Sequence, residues 1–309
     1  MCCLFGLLDY QNRLSGKQKA KVIRTLSLEA EARGRDACGI AYNSHGTLQI
    51  RKRPGPASRT RFFIPNDARV IMGHTRMTTQ GNAKFPQNNH PFPGKTGSMR
   101  FALAHNGVLY NDISLRRGRH LPQTNIQTDS YVAVQLLEQL GALTPDSLKE
   151  MAETVEGSFV FTVLDEGDRL YLIKGDSPMA VFHYPVLGLY VYASTQEILR
   201  RTVGRTWLAR EPHRELPVSD GEILRFDPRG MVLAGHFTMP CLPCRLWHPC
   251  ISSDTPSYQP DRTYLRTLKN IASALGYTPE DIDELLEAGY STDEIEEELY
   301  SLSDWPAYR

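Results

Sequence analysis

Apolar runs of strand length recur through most of the chain, and they arrive in groups rather than in alternation with helices. Residues 2–8 read as a buried strand, and residues 15–31 follow with helical spacing, Ser15 as N-cap and an end near Gly34. Strand patterns then resume. Residues 39–43 and 47–51 flank Ser44-His45-Gly46, a hairpin signal, and residues 69–75 and 101–105 are further apolar runs. Between the last two, residues 79–98 are rich in Asn, Pro and Gly and are expected to form a loop; structureless loops of that length usually have a functional reason. Helical spacing returns at 129–140, with Thr128 as N-cap, and at 145–154. Residues 158–165, 169–174, 179–184 and 189–193 read as strands, 196–202 as a short helix, and 222–227 with 231–234 as a last hairpin. Grouped strands with segregated helices predict an antiparallel α+β architecture and argue against a parallel βαβ one.

From His236 the character changes to Pro- and Ser-rich sequence with little periodicity, which sets the expected boundaries: a domain at 1–235, a linker at 236–262 and a helical tail at 263–309. The tail holds a degenerate repeat, Tyr277-Thr278-Pro279-Glu280-Asp281-Ile282 against Tyr290-Ser291-Thr292-Asp293-Glu294-Ile295, each with a Thr N-cap and an acidic first turn. Net charge is zero, yet residues 277–300 carry ten acidic side chains and no Lys or Arg. The basic residues elsewhere are scattered and lack a recognition motif, so no nucleic-acid partner is expected. No apolar run reaches the ~18 residues of a membrane span, and Asp9 interrupts the amino-terminal run too early for a secretory signal. A cytoplasmic chain with no membrane association is expected, and six Cys in this length do not look like a disulfide framework. No dinucleotide or phosphate-loop fingerprint is present.

The chemistry is concentrated at the start of the chain. A small residue after Met1 normally permits removal of that methionine, and Cys2 would then carry a thiol and a free α-amino group on one residue. With a pKa of about 7.7–8.0, the amine serves as base for the thiol and later as acid for a leaving group. Three polar motifs at expected strand or helix ends complete the chemistry. Gly73 to Gly81 exposes Arg76, whose two-pronged guanidinium suits a carboxylate. His105-Asn106-Gly107 offers a side-chain amide and a backbone N–H to one oxyanion. Thr128-Asp129-Ser130 sets a carboxylate at a helix start, suited to an ammonium group.

Taken in order, these motifs resemble those of class II glutamine amidotransferase domains of the amino-terminal nucleophile (Ntn) hydrolase superfamily. Cys2-Cys3-Leu4-Phe5-Gly6 is similar to the family's Cys-Gly-Ile-Phe-Gly, and residues 33–40 to its Arg-Gly-x-Asp-Ser-x-Gly-Ile. Residues 73–81 resemble Gly-His-Thr-Arg-Trp-Ala-Thr-His-Gly, and Asn88-Asn89-His90-Pro91 resembles Asn-Ala-His-Pro. The resemblance implies a four-layer αββα sandwich of two antiparallel sheets, here with a small helical C-terminal appendage. It implies glutamine as substrate and no cofactor, with Cys2 as nucleophile and base, Asn106 and Gly107 as oxyanion hole, Arg76 for the α-carboxylate, Asp129 for the α-ammonium, and Thr79 as a further substrate contact. Three departures stand out. Cys3 replaces Gly and is a rival thiol in principle, Met77 replaces Trp, and Gln80 replaces His.

Members of this family fuse the glutaminase domain to a synthase, whereas too few residues remain here for one, so the expectation is a free-standing domain that supplies ammonia to a separate synthase. A linear-amide hydrolase or acylase of the same superfamily, or a non-catalytic regulatory binding module, is the alternative. In the linker, Cys241, Cys244, Cys250 and His248 or His236 have enough ligands for zinc but lack a second Cys-x-x-Cys; no metal is the preferred reading.

Overall fold

The computed structural model describes residues 2–239, 262–274, 277–287 and 295. Along the chain come β1 (Cys3–Asp9), α1 (Gly16–Ala30), β2 (Ala37–Ser44), β3 (Thr47–Pro54), β4 (Val70–Arg76), β5 (Phe92–Thr96) and β6 (Met99–Leu109). Next are α2 (Asp112–Gly118), α3 (Tyr131–Leu140), α4 (Pro145–Thr154), β7 (Gly157–Asp165), β8 (Leu170–Lys174), β9 (Ala180–Tyr184) and β10 (Leu189–Ala193). They are followed by α5 (Gln196–Gly204), β11 (Arg214–Leu216), β12 (Glu222–Asp227), β13 (Gly230–His236), α6 (Arg262–Ala274) and α7 (Pro279–Glu287). The chain divides into two units, Met1–Pro243 and Cys244–Arg309.

The strands of the first unit form two sheets, one ordered β11-β9-β10-β1-β4-β2-β3 and the other β13-β12-β8-β7-β6-β5, with antiparallel pairing. Three apolar clusters define the layers. One packs Cys3, Phe5, Leu7 and Ile71 of the first sheet under Val22 and Leu26 of α1 and Leu199 of α5. Another packs Leu103, Phe161 and Ile173 of the second sheet under Val134 and Leu137 of α3 and Leu148 of α4. The third lies between the sheets, where Leu4, Leu8, Ala41 and Met72 meet Ala102, Ala104, Val160 and Leu172. The result is the αββα sandwich. Side chains alternate across a strand, so β1 sends Cys3, Phe5 and Leu7 toward the helices and Leu4 and Leu8 into the seam; this explains why all seven of its residues are buried.

Two expectations need correction. The stretch 79–98 is not one loop: residues 92–96 form β5, joined to β6 through a turn with Gly97 at φ +57°. Pro93 hides the strand from a sequence reading, yet β5 is the outermost strand of its sheet, where proline is tolerated. In addition, Thr128 is not the N-cap of α3, which starts at Tyr131 after Ser130. Thr128 instead donates its hydroxyl proton to the Asn88 carbonyl (2.8 Å), and the chain up to Ser130 is held as a turn. Ser15 does cap α1, in a reciprocal box with Gln18.

A buried ion pair fastens α1 to the first sheet. Lys19 Nζ lies 3.3 Å from Asp9 Oδ2, both side chains being fully buried. The ammonium also donates to Asn12 Oδ1 and to the carbonyls of Asn66 and Ala68, while the carboxylate accepts the backbone N–H groups of Arg13 and Leu14. Such a pair is retained by its full hydrogen bonding, and removing one member leaves the other charge stranded.

In the second unit, α6 and α7 bury Leu268, Ala272, Ile282 and Ile295 together, and Lys269 pairs with Asp283 at 2.6 Å. Thr278 and Asp281 exchange side-chain bonds to each other's N–H at the start of α7. The second copy of the repeat, apart from Ile295, lies outside the described residues, as do Cys241, Cys244, Cys250 and His248. Among the described residues no cluster of His, Cys, Asp and Glu is placed to hold a metal ion, and no helix is long and apolar enough to cross a membrane.

Replacing Lys19 with Ala is expected to lower the unfolding free energy by about 3–5 kcal/mol, measured by urea denaturation; a loss below 1 kcal/mol would show that the pair is dispensable.

Candidate active site

Strand parity brings the site together. Cys2 continues the alternation of Leu4 on β1, Arg76 that of Met72 and His74 on β4, and Asn106 that of Ala102 and Ala104 on β6; the apolar members of each series lie in the seam between the sheets. At one end of the seam the apolar residues therefore give way to a thiol, a guanidinium and a side-chain amide. Asp129 joins them from the turn before α3: the charges of Arg76 and Asp129 both act on the Cys2 thiol. Cys3 points the opposite way, fully buried in the core beneath α1, its thiol donating to the Leu4 carbonyl at 3.2 Å.

The Cys2 thiol is half-buried and lies 3.4 Å from the Met77 carbonyl, and the Cys2 carbonyl accepts Arg33 Nε at 3.1 Å. Residues 33–36 brace the turn after β4. Asp36 donates its N–H to the Arg76 carbonyl and accepts the Thr78 N–H at 2.7 Å, and a Cβ on Gly34 would sit 2.5 Å from the Arg76 carbonyl carbon. Arg76 itself is almost fully buried. One nitrogen donates to Asn89 Oδ1 at 2.6 Å and another to the Gln80 carbonyl. Thr79, expected near the substrate, lies exposed in the loop beyond β4.

Asn106 and Gly107 do not end a strand, as the sequence reading had them, but lie within β6, opposite Val160 and Phe159 of β7. Gly107 has φ +138°, and a Cβ there would fall 1.9 Å from the Ser158 carbonyl oxygen, so the position admits only glycine. Neither Asn106 Oδ1 nor Nδ2 has a hydrogen-bond partner, although the side chain is fully buried. A buried amide left unpaired costs about 1–3 kcal/mol, and orphans of this kind mark places where function outweighs stability. The Asp129 carboxylate accepts the Leu109 N–H at 2.7 Å and the Ser130 hydroxyl at 3.3 Å, and Ser130 Oγ in turn lies 2.7 Å from His105 Nδ1.

Behind these groups stand three buried histidines. His74 and His90 have ring centroids 4.2 Å apart, His90 and His105 6.5 Å apart, and His105 stacks on Phe161 at 4.6 Å. His74 Nε2 donates to the His105 carbonyl at 3.0 Å, linking β4 of one sheet to β6 of the other. Burial, reinforced by Arg76, pushes His74 down to about 3; burial likewise lowers His90 and His105. All three are neutral at pH 7 and serve as scaffold. Burial also raises the Cys2 thiol, with Arg76 opposing that rise and Asp129 adding to it, so the thiol needs a base to ionise at neutral pH. Lys52, whose Nζ donates to the Asn89 and Pro91 carbonyls, is lowered to about 8 by burial and then by Arg76.

The architecture is shared with solved structures. Glutamine phosphoribosylpyrophosphate amidotransferase from B. subtilis, complexed with ADP and GMP, superposes with a TM-score of 0.62 at 20% identity, over 77% of this chain and 50% of that one. The allosteric regulatory enzyme of purine biosynthesis gives 0.61 at 21% identity, over 77% and 49%. These likenesses show that the first unit shares the fold of part of each of those enzymes. In sequence, residues 74–201 match the glutamine amidotransferase domain. The glutamine–fructose-6-phosphate aminotransferases (isomerizing) of Staphylococcus epidermidis and Geobacillus kaustophilus are 31% identical over 192 residues and 33% over 190, in each case 59% of this chain and 30% of the relative. The match to the glutamine amidotransferase domain thus covers residues 74–201, and the chain spans about 30% of the length of these curated relatives.

Asn89 and Arg33 escaped the sequence reading as site residues: each stood inside a motif matched as a segment, and only the fold shows what it touches.

Because the unfolded histidines titrate near pH 6.5 and burial lowers all three in the fold, His74 to about 3, the unfolded state binds more protons below that pH. Stability is thus lost as pH falls below about 6.5, each histidine contributing up to about 1.4 kcal/mol per pH unit. Denaturant titrations of the parent and His90→Asn between pH 7 and 4 are expected to show a shallower fall in the variant; parallel curves would mean that His90 is not held neutral. Gly107→Ala is expected to abolish folding or expression of soluble protein, the crystal structure of a well-behaved variant being the contrary result.

Proposed function

We propose that this domain hydrolyses the side-chain amide of glutamine with Cys2 as nucleophile, after removal of Met1. The observation that carries this reading is the convergence of Cys2, Arg76 and Asn106 on the seam faces of three strands at the same end of the sandwich, with Asp129 acting on the same thiol. Arg76 binds the α-carboxylate through its fork, and Asp129 binds the α-ammonium. The two fix the amino-acid end, so that the amide carbon meets the thiol.

The α-amine takes the thiol proton, and the thiolate attacks the amide carbon. Charge passes to the amide oxygen, where Asn106 Nδ2 and the Gly107 N–H stabilise it; the orphaned amide of Asn106 then has its partner only while that charge exists, which is the condition for accelerating the step. The ammonium of Cys2 returns its proton to the leaving nitrogen, ammonia departs, and a γ-glutamyl thioester remains. Water, deprotonated by the same amine, opens the thioester to glutamate and the free thiol. In this reading the ammonia released is passed to an acceptor site, which we place on a separate synthase. A free amino-terminal thiol suits a reducing compartment, in keeping with a cytoplasmic location.

Glutamate release from glutamine is expected for the parent and absent for Cys2→Ala; equal rates would refute the nucleophile. Intact mass is expected to show the chain without Met1, and a diazoketone analogue of glutamine to add once, at Cys2, with labelling of Cys3 as the contrary outcome. Asn106→Ala is expected to lower kcat by about 10²–10³, whereas Arg76→Ala is expected chiefly to raise KM for glutamine; the opposite pattern would mean that the two roles are wrongly divided.

A further inference from the structure

We propose that Asn89 is a positioning residue that fixes the Arg76 guanidinium and so sets the affinity of the site for the α-carboxylate of its substrate; this inference rests on the glutamine reading above. Asn89 is fully buried in the segment between β4 and β5, and each of its polar groups has a partner. Its Oδ1 accepts Arg76 Nη1 at 2.6 Å, its Nδ2 donates to the Ala83 carbonyl at 2.8 Å, its N–H donates to the Pro86 carbonyl at 3.1 Å, and its carbonyl accepts Lys52 Nζ at 2.5 Å.

This arrangement fixes the orientation of the amide. Turned over, it would set NH₂ against the guanidinium and oxygen against the Ala83 carbonyl, two repulsive contacts in place of two hydrogen bonds. The acceptor presented to Arg76 is therefore fixed, and it is neutral. A carboxylate at the same place would satisfy the guanidinium and compete with the substrate; a neutral oxygen orients it and leaves its charge to be met by an anion. Burial disfavours that charge, Asp129 and Asp36 partly offset the effect, and Arg76 in turn disfavours the charge of Lys52. The position is also where this chain departs from the pattern it otherwise follows. Asn89 stands where the similar segment has Ala, which cannot bond to an arginine, and Met77 and Gln80 stand for the Trp and His flanking it. Arg76 is held here by Asn89 and by the Gln80 main chain.

The rival view is that Asn89 only staples the 83–89 turn through Ala83. Asn89→Ala and the near-isosteric Asn89→Asp separate the two, since both lose the Ala83 bond but only Asp adds a charge facing Arg76. With positioning, Asn89→Ala raises KM for glutamine about tenfold to a hundredfold, as for loss of a hydrogen bond to a charged group, with kcat within about twofold; Asn89→Asp raises KM further. In an Arg76→Ala background, Asn89→Ala adds nothing to KM. Equal KM values for the Ala and Asp variants, a fall in kcat with KM unchanged, or additive effects with Arg76→Ala would overturn the proposal. Should Asn89→Ala fail to fold, Asn89→Asp alone decides, by whether its KM rises with kcat retained. A parent that releases no glutamate from glutamine refutes the glutamine reading and this inference with it, whereas an active parent with unaltered Asn89 variants refutes this inference alone.

Discussion

The hydrogen bond from His74 Nε2 to the His105 carbonyl ties the two sheets together at the point where their shared apolar layer ends. On one side of it lie Met72, Ala102 and Ala104, packed in the seam; on the other lie Arg76 and Asn106, one strand period further along. The offset between the sheets fixes which residue of β6 faces which residue of β4, and the groups of the candidate site come from different sheets. A slip by one residue would turn Asn106 toward the helices and bring His105 into the seam. The three neutral histidines fill this junction with rings that pack as apolar bodies, and His74 still has a proton to donate across the gap.

The electrostatics follow from the same junction. Burial next to Arg76 and Lys52 disfavours further positive charge, which is why the histidines stay neutral and why Lys52 loses its proton more readily than an exposed lysine. Asp129 is the nearby counterweight, and its carboxylate is held in place by the Leu109 N–H and by Ser130. The cation of Arg76 and the anion of Asp129 both act on the Cys2 thiol, and they are the two charges that the proposed reading assigns to the amino-acid end of glutamine. The orphaned amide of Asn106 is the stability cost of this design, and the fully bonded Asn89 is its counterpart: one side chain kept without partners, the other using all of them.

Much of the fold was legible from periodicity, because the strands of the first unit are apolar on one or both faces and the helices carry clear caps such as Ser15. The failures have particular causes. Residues 92–96 read as loop because Pro93 and Gly94 are poor strand formers; their place at a sheet edge makes them acceptable. Thr128 read as a cap because Thr-Asp-Ser favours helix starts, yet its hydroxyl was taken by Asn88, forty residues away in sequence. The candidate site was legible as a set of motifs, since Cys2, Arg76, Asn106 and Asp129 stand in segments with recognisable neighbours.

The sequence alone determined the candidate reactive groups and the alternation of the strands, for these depend on residue type and on a period of two that any strand obeys. Tertiary structure decided which groups meet. Gly107 is confined to glycine by a carbonyl of β7, Cys3 is removed from contention by the face it occupies, and Asn89 gains its role from a guanidinium delivered by another strand. Each of these depends on contacts between segments far apart in the chain, and such contacts exist only once the two sheets have closed over a common core.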